Sequence, residues 1–249
     1  MKRYIVLASL LAVLLGVTIW ITNMEWIKEG VYKPFTWSDL LSCTRSHLEM
    51  VATAELIVIA IGVPLGVLVT RARFRKLGTP IIGGASIGQS IPSLAVIAIM
   101  ASILGFGFQS AIVALVIYGL LPVLRNSYAG INNIDPSIVE AAKGMGMTGG
   151  QIARKMELPL ALPVIMTGIR ISTVITVGTA ELAVLVGGAG LGRITLAGVY
   201  SMQPLTILQG AAPTAALAII LGFLLERLEK ALTSPGLKIE AEMAQEVKM

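Results

Sequence analysis

Charged residues are scarce in this sequence. Asp, Glu, Lys and Arg make up 13% of its 249 residues, whereas 55% are hydrophobic, and the mean hydropathy is +0.85. This balance excludes an ordinary soluble globular domain, whose charged fraction is about twice as high. The composition therefore predicts a membrane protein.

The sequence also has few residues that build disulfides or metal centres. It contains one cysteine, Cys43, and one histidine, His47. A single cysteine excludes an internal disulfide, and two ligands do not complete a metal site, even if both share one helix face. We interpret the two residues as an incidental pair near the membrane surface.

The formal net charge of +5 raises the question of nucleic-acid binding. Such binding needs a basic face with aromatic or base-reading partners. The basic residues here flank apolar runs instead, so we predict no nucleic-acid partner.

Motifs of nucleotide-binding and hydrolytic enzymes are missing. The P-loop pattern G-x-x-x-x-G-K-[ST] is absent, as are a Ser/His/Asp set and a tuned carboxylate pair. Gly144-x-Gly146-x-x-Gly149 matches the dinucleotide fingerprint by letter, but that motif works only inside a βαβ unit. We predict a non-catalytic chain with no cofactor or metal of its own.

Long apolar runs are what the sequence does have. A membrane-spanning helix needs ~20 mostly apolar residues, because lipid cannot hydrogen-bond to free backbone groups. We therefore predict an all-α membrane bundle of about six transmembrane helices. The predicted spans are Tyr4–Thr22, Leu48–Thr70, Thr79–Leu104, Ser110–Leu124, Leu160–Val186 and Leu205–Leu225.

The first predicted span follows Met1-Lys2-Arg3, as a secretory signal peptide would. The run is longer than the usual signal core, and no small-residue cleavage site follows it at Thr22-Asn23-Met24. We expect an uncleaved anchor.

Basic residues fall beside alternate ends of the spans, and Lys and Arg are retained on the cytoplasmic side. This pattern predicts that both termini are cytoplasmic. The basic groups are Lys2 and Arg3; Arg71, Arg73, Arg75 and Lys76; Arg125, Lys143, Arg154 and Lys155; and Arg227 and Lys230.

Two connections are predicted on the outer side, Asn23–Ser46 and Gly187–Pro204. The first is charge-balanced and aromatic, which is typical of an interfacial connection. The second is rich in glycine and compatible with a partly re-entrant path. The aromatic residues are Trp20, Trp26, Tyr32, Phe35 and Trp37.

Small residues and prolines predict close packing and bending. Gly62-x-x-x-Gly66 and Gly84-x-x-x-Gly88 favour close approach of helix backbones. Pro64, Pro92 and Pro213 each remove an intrahelical donor.

Gln89-Ser90-Ile91-Pro92-Ser93 places polar side chains beside a proline at membrane depth. Such a segment usually lines a wet or protein-walled cavity. We interpret Gln89, Ser90, Pro92 and Ser93 as part of a solute path.

A compact polar element separates the fourth and fifth spans. Asp135-Pro136 predicts a helix start, and a short helix should end at Gly144–Gly146. Thr148 and Gln151 have the spacing of a capping box for a second short helix. Pro159 disfavours helical geometry at Leu158 and predicts a turn into the next span.

This element also presents apolar side chains among charges on the wet side of the membrane. They indicate either docking of a partner or packing against the ends of the same bundle, and the spacing leaves both readings open. The residues are Val139, Met145, Met147, Ile152 and Met156.

The element resembles a known motif. Glu140-Ala141-Ala142, then Gly146, then Leu158-Pro159 resemble the EAA loop of permease subunits of bacterial ABC importers. The chain is also similar to osmoprotectant importers for glycine betaine, choline or carnitine over roughly residues 45–228. The segments that carry this second similarity are residues 89–94, 121–126, 143–147 and 188–192.

The resemblance implies a multi-pass subunit of the bacterial inner membrane that works by alternating access. It implies ABC ATPase subunits that bind ATP and Mg, a second permease chain, identical or different, and an extracytoplasmic solute-binding protein. The residues that couple to the ATPase would be Glu140, Ala141, Ala142, Gly146, Leu158 and Pro159. The implied layout is one domain, with an anchor at 4–22, a core bundle at 48–225, a coupling loop at 135–159 and a cytoplasmic tail at 226–249.

Ionisable residues inside the predicted spans are functional candidates. Glu181 stands where similar permeases usually carry neutral residues; we expect it either to face the solute path or to reach the outer interface or pair with Arg193. Glu55 is the second candidate, and Arg170 is expected to brace helices through backbone carbonyls or extend inward.

Three alternatives stay open: a permease for another small solute, an ion-coupled secondary carrier, or a membrane scaffold that transports nothing, against which the polar segment from Gln89 to Ser93 argues. The polar loop argues against a secondary carrier, which has no need of an ATPase-docking element.

Overall fold

The structure, a computed structural model, describes residues 2–23 and 35–233. Within these ranges it contains helices and no strand, which confirms the predicted all-α class. The α-helices are α1 (Lys2–Thr22), α2 (Trp37–Leu68), α3 (Arg75–Ser90), α4 (Ser93–Leu104), α5 (Phe108–Asn132), α6 (Pro136–Gly144), α7 (Gly149–Ile152), α8 (Leu158–Ala183), α9 (Gly192–Tyr200) and α10 (Pro204–Leu232). A π turn spans Ala153–Glu157, and a 3-10 turn spans Val184–Val186.

The number of spans depends on one broken pair of helices. Among the described residues, five helical stretches are long and apolar enough to cross a membrane, or six if α3 and α4 count as one. The two are bent by 99°, so the predicted third span, Thr79–Leu104, is not one straight helix. Ile91 is extended, at φ −73° and ψ 136°, as expected of a residue before proline.

Helix α5 lies at the centre of the bundle and packs most extensively against α8 and α2. The Gly62-x-x-x-Gly66 prediction is confirmed, because a Cβ added at Gly66 would lie 2.6 Å from the Ser127 Cβ of α5. The Gly84-x-x-x-Gly88 prediction is confirmed at Gly88 only: a Cβ added at Gly88 would lie 3.2 Å from the Ile117 Cγ2 of α5, whereas one added at Gly84 would meet no atom within 4 Å.

The prolines have unequal effects. Pro64 and Pro213 lie inside helices α2 and α10, which continue past them. Pro92 is the N-cap of α4 and stands at the bend. Of these three prolines, only Pro92 lies at a helix break.

The two connections that the sequence predicts on the outer side are shorter than expected. Helix α2 begins at Trp37, where Thr36 and Asp39 form a capping box, so residues 37–46 are helical and not part of a connection. Trp20 and Trp37 are exposed, as expected of interfacial residues, whereas Trp26 and Tyr32 lie outside the described residues. The 187–204 segment contains α9.

Helix α10 continues to Leu232. Residues 226–232 therefore belong to the last helix and not to a tail. The rest of the predicted tail, from residue 234 onward, lies outside the described residues.

The two ends of the bundle can be named by their short helices. The α6 end carries α6, α7, the π turn and residues 69–74. The α9 end carries α9 and the 3-10 turn, to which the α4–α5 connection is tied because the Gly107 N–H donates to the Val186 carbonyl at 2.6 Å.

Candidate functional site

Helix α6 starts where the sequence predicts. Asp135 is the N-cap, and its carboxylate accepts a hydrogen bond from the Ser137 N–H at 2.8 Å, while Pro136 occupies the first turn. This backbone N–H, together with the Ser137 hydroxyl, lowers the pKa of Asp135 below its ordinary value. The start of α6 is thereby fixed by local interactions.

A glycine hinge links α6 to α7. Gly146 has φ +79°, in the left-handed region that favours glycine. Two residues later Thr148 caps α7, since its side chain accepts from the Gln151 N–H at 3.4 Å and Gln151 accepts from the Thr148 N–H at 2.8 Å. The predicted glycine turn and the predicted starts of both helices are confirmed, but the second helix is not short, because it continues toward α8.

The predicted turn at Pro159 is wrong. Leu158 is helical, at φ −62° and ψ −45°, and α7 runs through the π turn into α8 without a break. Pro159 is the second residue of α8 and comes directly after the π turn, at whose end the Leu158 N–H donates to the Ala153 carbonyl. The π turn shifts the hydrogen-bond register just before it, so the chain need not leave the helix.

The apolar side chains of this element are divided between solvent and the bundle. Met145 is 71% exposed, whereas Ile152 is 3% exposed and packed against its own chain. Val139, Met147 and Met156 are half-buried. Of the two readings left open by the sequence, packing against the same bundle therefore describes Ile152, while Met145 is available for docking of a partner.

The residues that resemble the EAA loop are likewise divided between exposed and buried positions. Glu140, Ala141, Gly146 and Pro159 are exposed, Leu158 is half-buried, and Ala142 is fully buried. The exposed carboxylate of Glu140 and the methyl group of Ala141 are the parts that a partner can reach.

Sequence reasoning missed an ion pair at the α6 end. The Arg71 Nη2 lies 2.5 Å from the Glu157 Oε2 and ties the α2–α3 connection to the π turn. A cavity of about 370 Å³ adjoins this pair and is also lined by Glu140 and Lys143 of α6. The basic cluster at Arg71 was the available signal, but spacing could not identify its partner.

The predicted path segment is held against α5. The Gln89 side chain donates to the Tyr118 carbonyl at 3.3 Å, and the Tyr118 hydroxyl donates to the Ile91 carbonyl at the bend. Ser90 is exposed and donates to the Ser86 carbonyl at 2.8 Å, and Ser93 begins α4. Tyr118 thus stabilises the break between α3 and α4.

A cavity of about 470 Å³ lies between α3 and α5 on the side of the bend toward the α6 end. Its lining includes the polar side chains of Thr79, Ser86, Arg125 and Tyr128. Gly83 leaves space there, because a Cβ added to it would meet nothing within 4 Å.

Glu181 is half-buried between α8 and α10, where it accepts a hydrogen bond from the Thr214 hydroxyl. It does not pair with Arg193, which lies 3.7 Å from Asp39 instead. Glu181 is therefore hydrogen-bonded to α10, whereas Gln89, the other polar residue predicted for the solute path, is hydrogen-bonded to α5.

The other two ionisable candidates also face protein partners. Glu55 is 7% exposed and accepts from the Ser172 hydroxyl at 2.8 Å and the Thr176 hydroxyl at 2.7 Å. Arg170 lies 3.8 Å from Glu226 and 3.6 Å from Glu229, so it braces α8 against α10 through carboxylates and not backbone carbonyls.

His47 is not an incidental surface residue. It is fully buried, its Nδ1 accepts from the Leu191 N–H at 3.3 Å, and its Nε2 lies 3.1 Å from the Val177 carbonyl. Since Nδ1 accepts, the proton is on Nε2. Cys43 is buried beside Leu191, so both residues hold the segment before α9.

Comparison with known proteins places these features in a family. Residues 62–234, from the last two turns of α2 to just past α10, match the family described as "Binding-protein-dependent transport system inner membrane component". The chain belongs to this family. It is a multi-pass transport subunit of the inner membrane, and membership implies ATPase and solute-binding-protein partners.

Relatives of this permease family span most of the chain. The glycine betaine/carnitine/choline transport system permease protein OpuCB of Bacillus subtilis (strain 168) is 43% identical over 80% of this chain and 91% of its own length. The choline transport system permease protein OpuBB of the same organism is 42% identical over 83% of this chain and 94% of its own length. Among solved structures, a chain of the MetNI methionine ABC transporter in an inward-facing conformation is 26% identical, with a TM-score of 0.69 over 80% of this chain and 98% of its own length.

Proposed function

We propose that this permease forms the translocation path of an ATP-driven importer for quaternary ammonium osmoprotectants such as glycine betaine, choline or carnitine. The observation that carries the proposal is the 43% identity to a glycine betaine/carnitine/choline permease over most of both chains. The 26% identity to a methionine transporter chain is lower, so methionine is a weaker candidate.

The exposed part of the α6–α7 element supports coupling to a separate ATPase. Glu140, Ala141 and Met145 are exposed beside the fixed Gly146 turn, so a partner groove can reach a carboxylate and an apolar side chain together. Met145 thus offers an apolar contact beside the charge of Glu140. We place the α6 end in the cytoplasm, where the ATPase would bind ATP and Mg.

The bend between α3 and α4 supports the solute path. Gln89, Ser90, Pro92 and Ser93 lie at a helix break, and polar side chains line the cavity between α3 and α5. Irregular backbone at membrane depth is tolerated where it lines a cavity or is covered by protein. ATP binding would favour one orientation of the bundle and hydrolysis would reset it, which is alternating access.

The solute class is tested with vesicles that contain this chain, its ATPase and its solute-binding protein. ATP-driven uptake of labelled glycine betaine, choline or carnitine is expected, with methionine as a comparison. Uptake of methionine alone contradicts the solute class, and uptake without the ATPase indicates a secondary carrier.

The coupling role is tested with Glu140→Arg. The variant should insert normally but lose co-purifying ATPase and ATP-driven uptake, because it reverses the charge at the exposed contact. Glu49→Arg is the matched control: it makes the same change at an exposed glutamate of α2 and should retain the ATPase. Normal uptake by Glu140→Arg contradicts the coupling role.

The role of Glu181 in the path is tested separately. If Glu181 favours a solute with a cationic head, Glu181→Gln should weaken uptake of choline. Unchanged transport and solute preference would leave Glu181 as a link between α8 and α10 through Thr214.

A further inference from the structure

The ion pair between Arg71 and Glu157 joins two parts of the chain that lie far apart in sequence. Their nitrogen and oxygen atoms are 2.5 Å apart, and the Glu157 and Arg71 side chains are 9% and 34% exposed. A pair with one largely buried member is weakly screened, so loss of one partner leaves an uncompensated charge.

Both partners are attached firmly to helices. Arg71 lies three residues beyond the end of α2, its N–H donates to the Leu68 carbonyl at 3.1 Å, and its own carbonyl accepts from the Phe74 N–H at 2.8 Å just before α3. Glu157 is the last residue of the π turn and precedes α8 without a break. Movement of either residue is therefore carried into a long helix.

The pair also lies beside the element proposed to meet the ATPase. Arg71, Glu157, Glu140 and Lys143 line the same cavity of about 370 Å³, so α6, the π turn and the α2–α3 connection surround one space. Helix α3 then leads from this connection to the bend at Pro92. π turns inside helices are often associated with functional positions.

We propose that Arg71 and Glu157 act as positioning residues that transmit displacement of the α6–α7 element to α2 and α3. The pair makes the two elements move together, so that a change at Glu140 reaches the bend between α3 and α4. This inference rests on the proposed function, in which α6 receives the movement of an ATPase.

The first test measures coupling in vesicles that contain the full assembly. Glu157→Gln removes the charge but keeps the size of the side chain. It should lower the amount of solute moved per ATP hydrolysed by about tenfold, within the usual range of coupling between sites, while ATPase binding is kept. Arg71→Lys should retain most of the wild-type amount of solute moved per ATP hydrolysed, because a cation still faces Glu157.

The matched control is the Arg45–Glu49 pair, which is exposed and lies at 2.8 Å within α2. Glu49→Gln removes an ion pair that connects no separate elements, so the ratio should not change. The double variant Arg71→Glu with Glu157→Arg should recover part of the ratio lost in Glu157→Gln.

The second test needs no solute. In a Cys43→Ser background, spin labels are placed at Gly150→Cys on α7 and Ile87→Cys on α3, both exposed positions. Trapping the ATPase with nucleotide and vanadate should change the distance between the labels, and Glu157→Gln should abolish or reduce that change.

The outcomes separate the two proposals. A wild-type assembly that takes up none of the tested solutes contradicts the proposed solute class, while the label distances still test the ion pair. Unchanged ratio and unchanged label distances in Glu157→Gln overturn the inference. A second result also overturns it. If Glu157→Gln unfolds at a lower temperature than wild type, but the folded variant protein still moves the wild-type amount of solute per ATP hydrolysed, the ion pair has a structural role alone.

Discussion

Gly66 of α2 lies directly against Ser127 of α5. A Cβ added at Gly66 would come within 2.6 Å of the Ser127 Cβ and 2.8 Å of the Leu124 carbonyl oxygen. Backbone atoms cannot move aside as the end of a flexible side chain can. The close packing of α2 on the central helix therefore depends on the absence of a side chain at this position.

Gly66→Ala should destabilise the bundle by about 1–3 kcal/mol, the usual cost of overpacking. Thermal unfolding in detergent measures it, and the midpoint should fall by roughly 2–4 °C per kcal/mol for a chain of this size. Gly84→Ala is the control, because a Cβ there meets nothing within 4 Å. Equal midpoints for both variants would contradict the packing argument.

Gly146→Ala should strain the turn between α6 and α7. The residue has φ +79°, and an L-residue in the left-handed region costs roughly 1–2 kcal/mol. Faster amide exchange across residues 136–152 and lower ATP-driven uptake are expected. Gly144→Ala is the control, because Gly144 ends α6 and a Cβ added there also meets nothing within 4 Å. Its amide exchange and uptake should stay close to wild type. An equal loss of uptake in Gly144→Ala would show that any methyl group added here is harmful.

Asp135 should make the start of α6 sensitive to acid. The Ser137 N–H holds the pKa of Asp135 below its ordinary value of 3.8, so the stabilisation is fully present above that value and is lost as the pH falls through the lower folded pKa. Amide exchange of Ser137 should accelerate, relative to its intrinsic rate, as the pH is lowered below about 4, the usual value for Asp. Asp135→Asn keeps an acceptor that does not titrate, and a similar acid response in that variant would rule out Asp135 as the cause.

His47→Leu should loosen the segment that precedes α9. The buried N–H of Leu191 loses its acceptor, which costs about 1–3 kcal/mol. Thermal unfolding of the variant should begin at lower temperature, with faster proteolysis between residues 187 and 192. His47→Gln retains a donor and an acceptor and should recover part of the loss; wild-type stability of His47→Leu would disprove this role.

The helix boundaries at the α6–α7 element could be predicted because they rest on neighbouring residues. Asp135 with Ser137 and Thr148 with Gln151 lie within one turn of each other, and a cap needs nothing more distant. The turn expected at Pro159 was wrong because the π turn before it changed the local register. The rule that a residue before proline avoids helical geometry considers only Leu158 and Pro159, and so could not include the π turn.

Side-chain partners from distant parts of the chain could not be predicted. Glu181 with Thr214, Arg170 with Glu229 and His47 with Leu191 each join separate elements. Their sequence spacing follows no local period, so a charge inside a span can be recognised while its partner cannot.

By itself the sequence determined the apolar helices, the caps of the polar element and the family motif, because these depend on composition and on residues a few positions apart. The tertiary structure decided which apolar residues of that element face solvent, how sharply the third span bends and which charges meet. These features depend on helices packing against one another, since burial and ion pairing are properties of neighbours in space and not of neighbours along the chain.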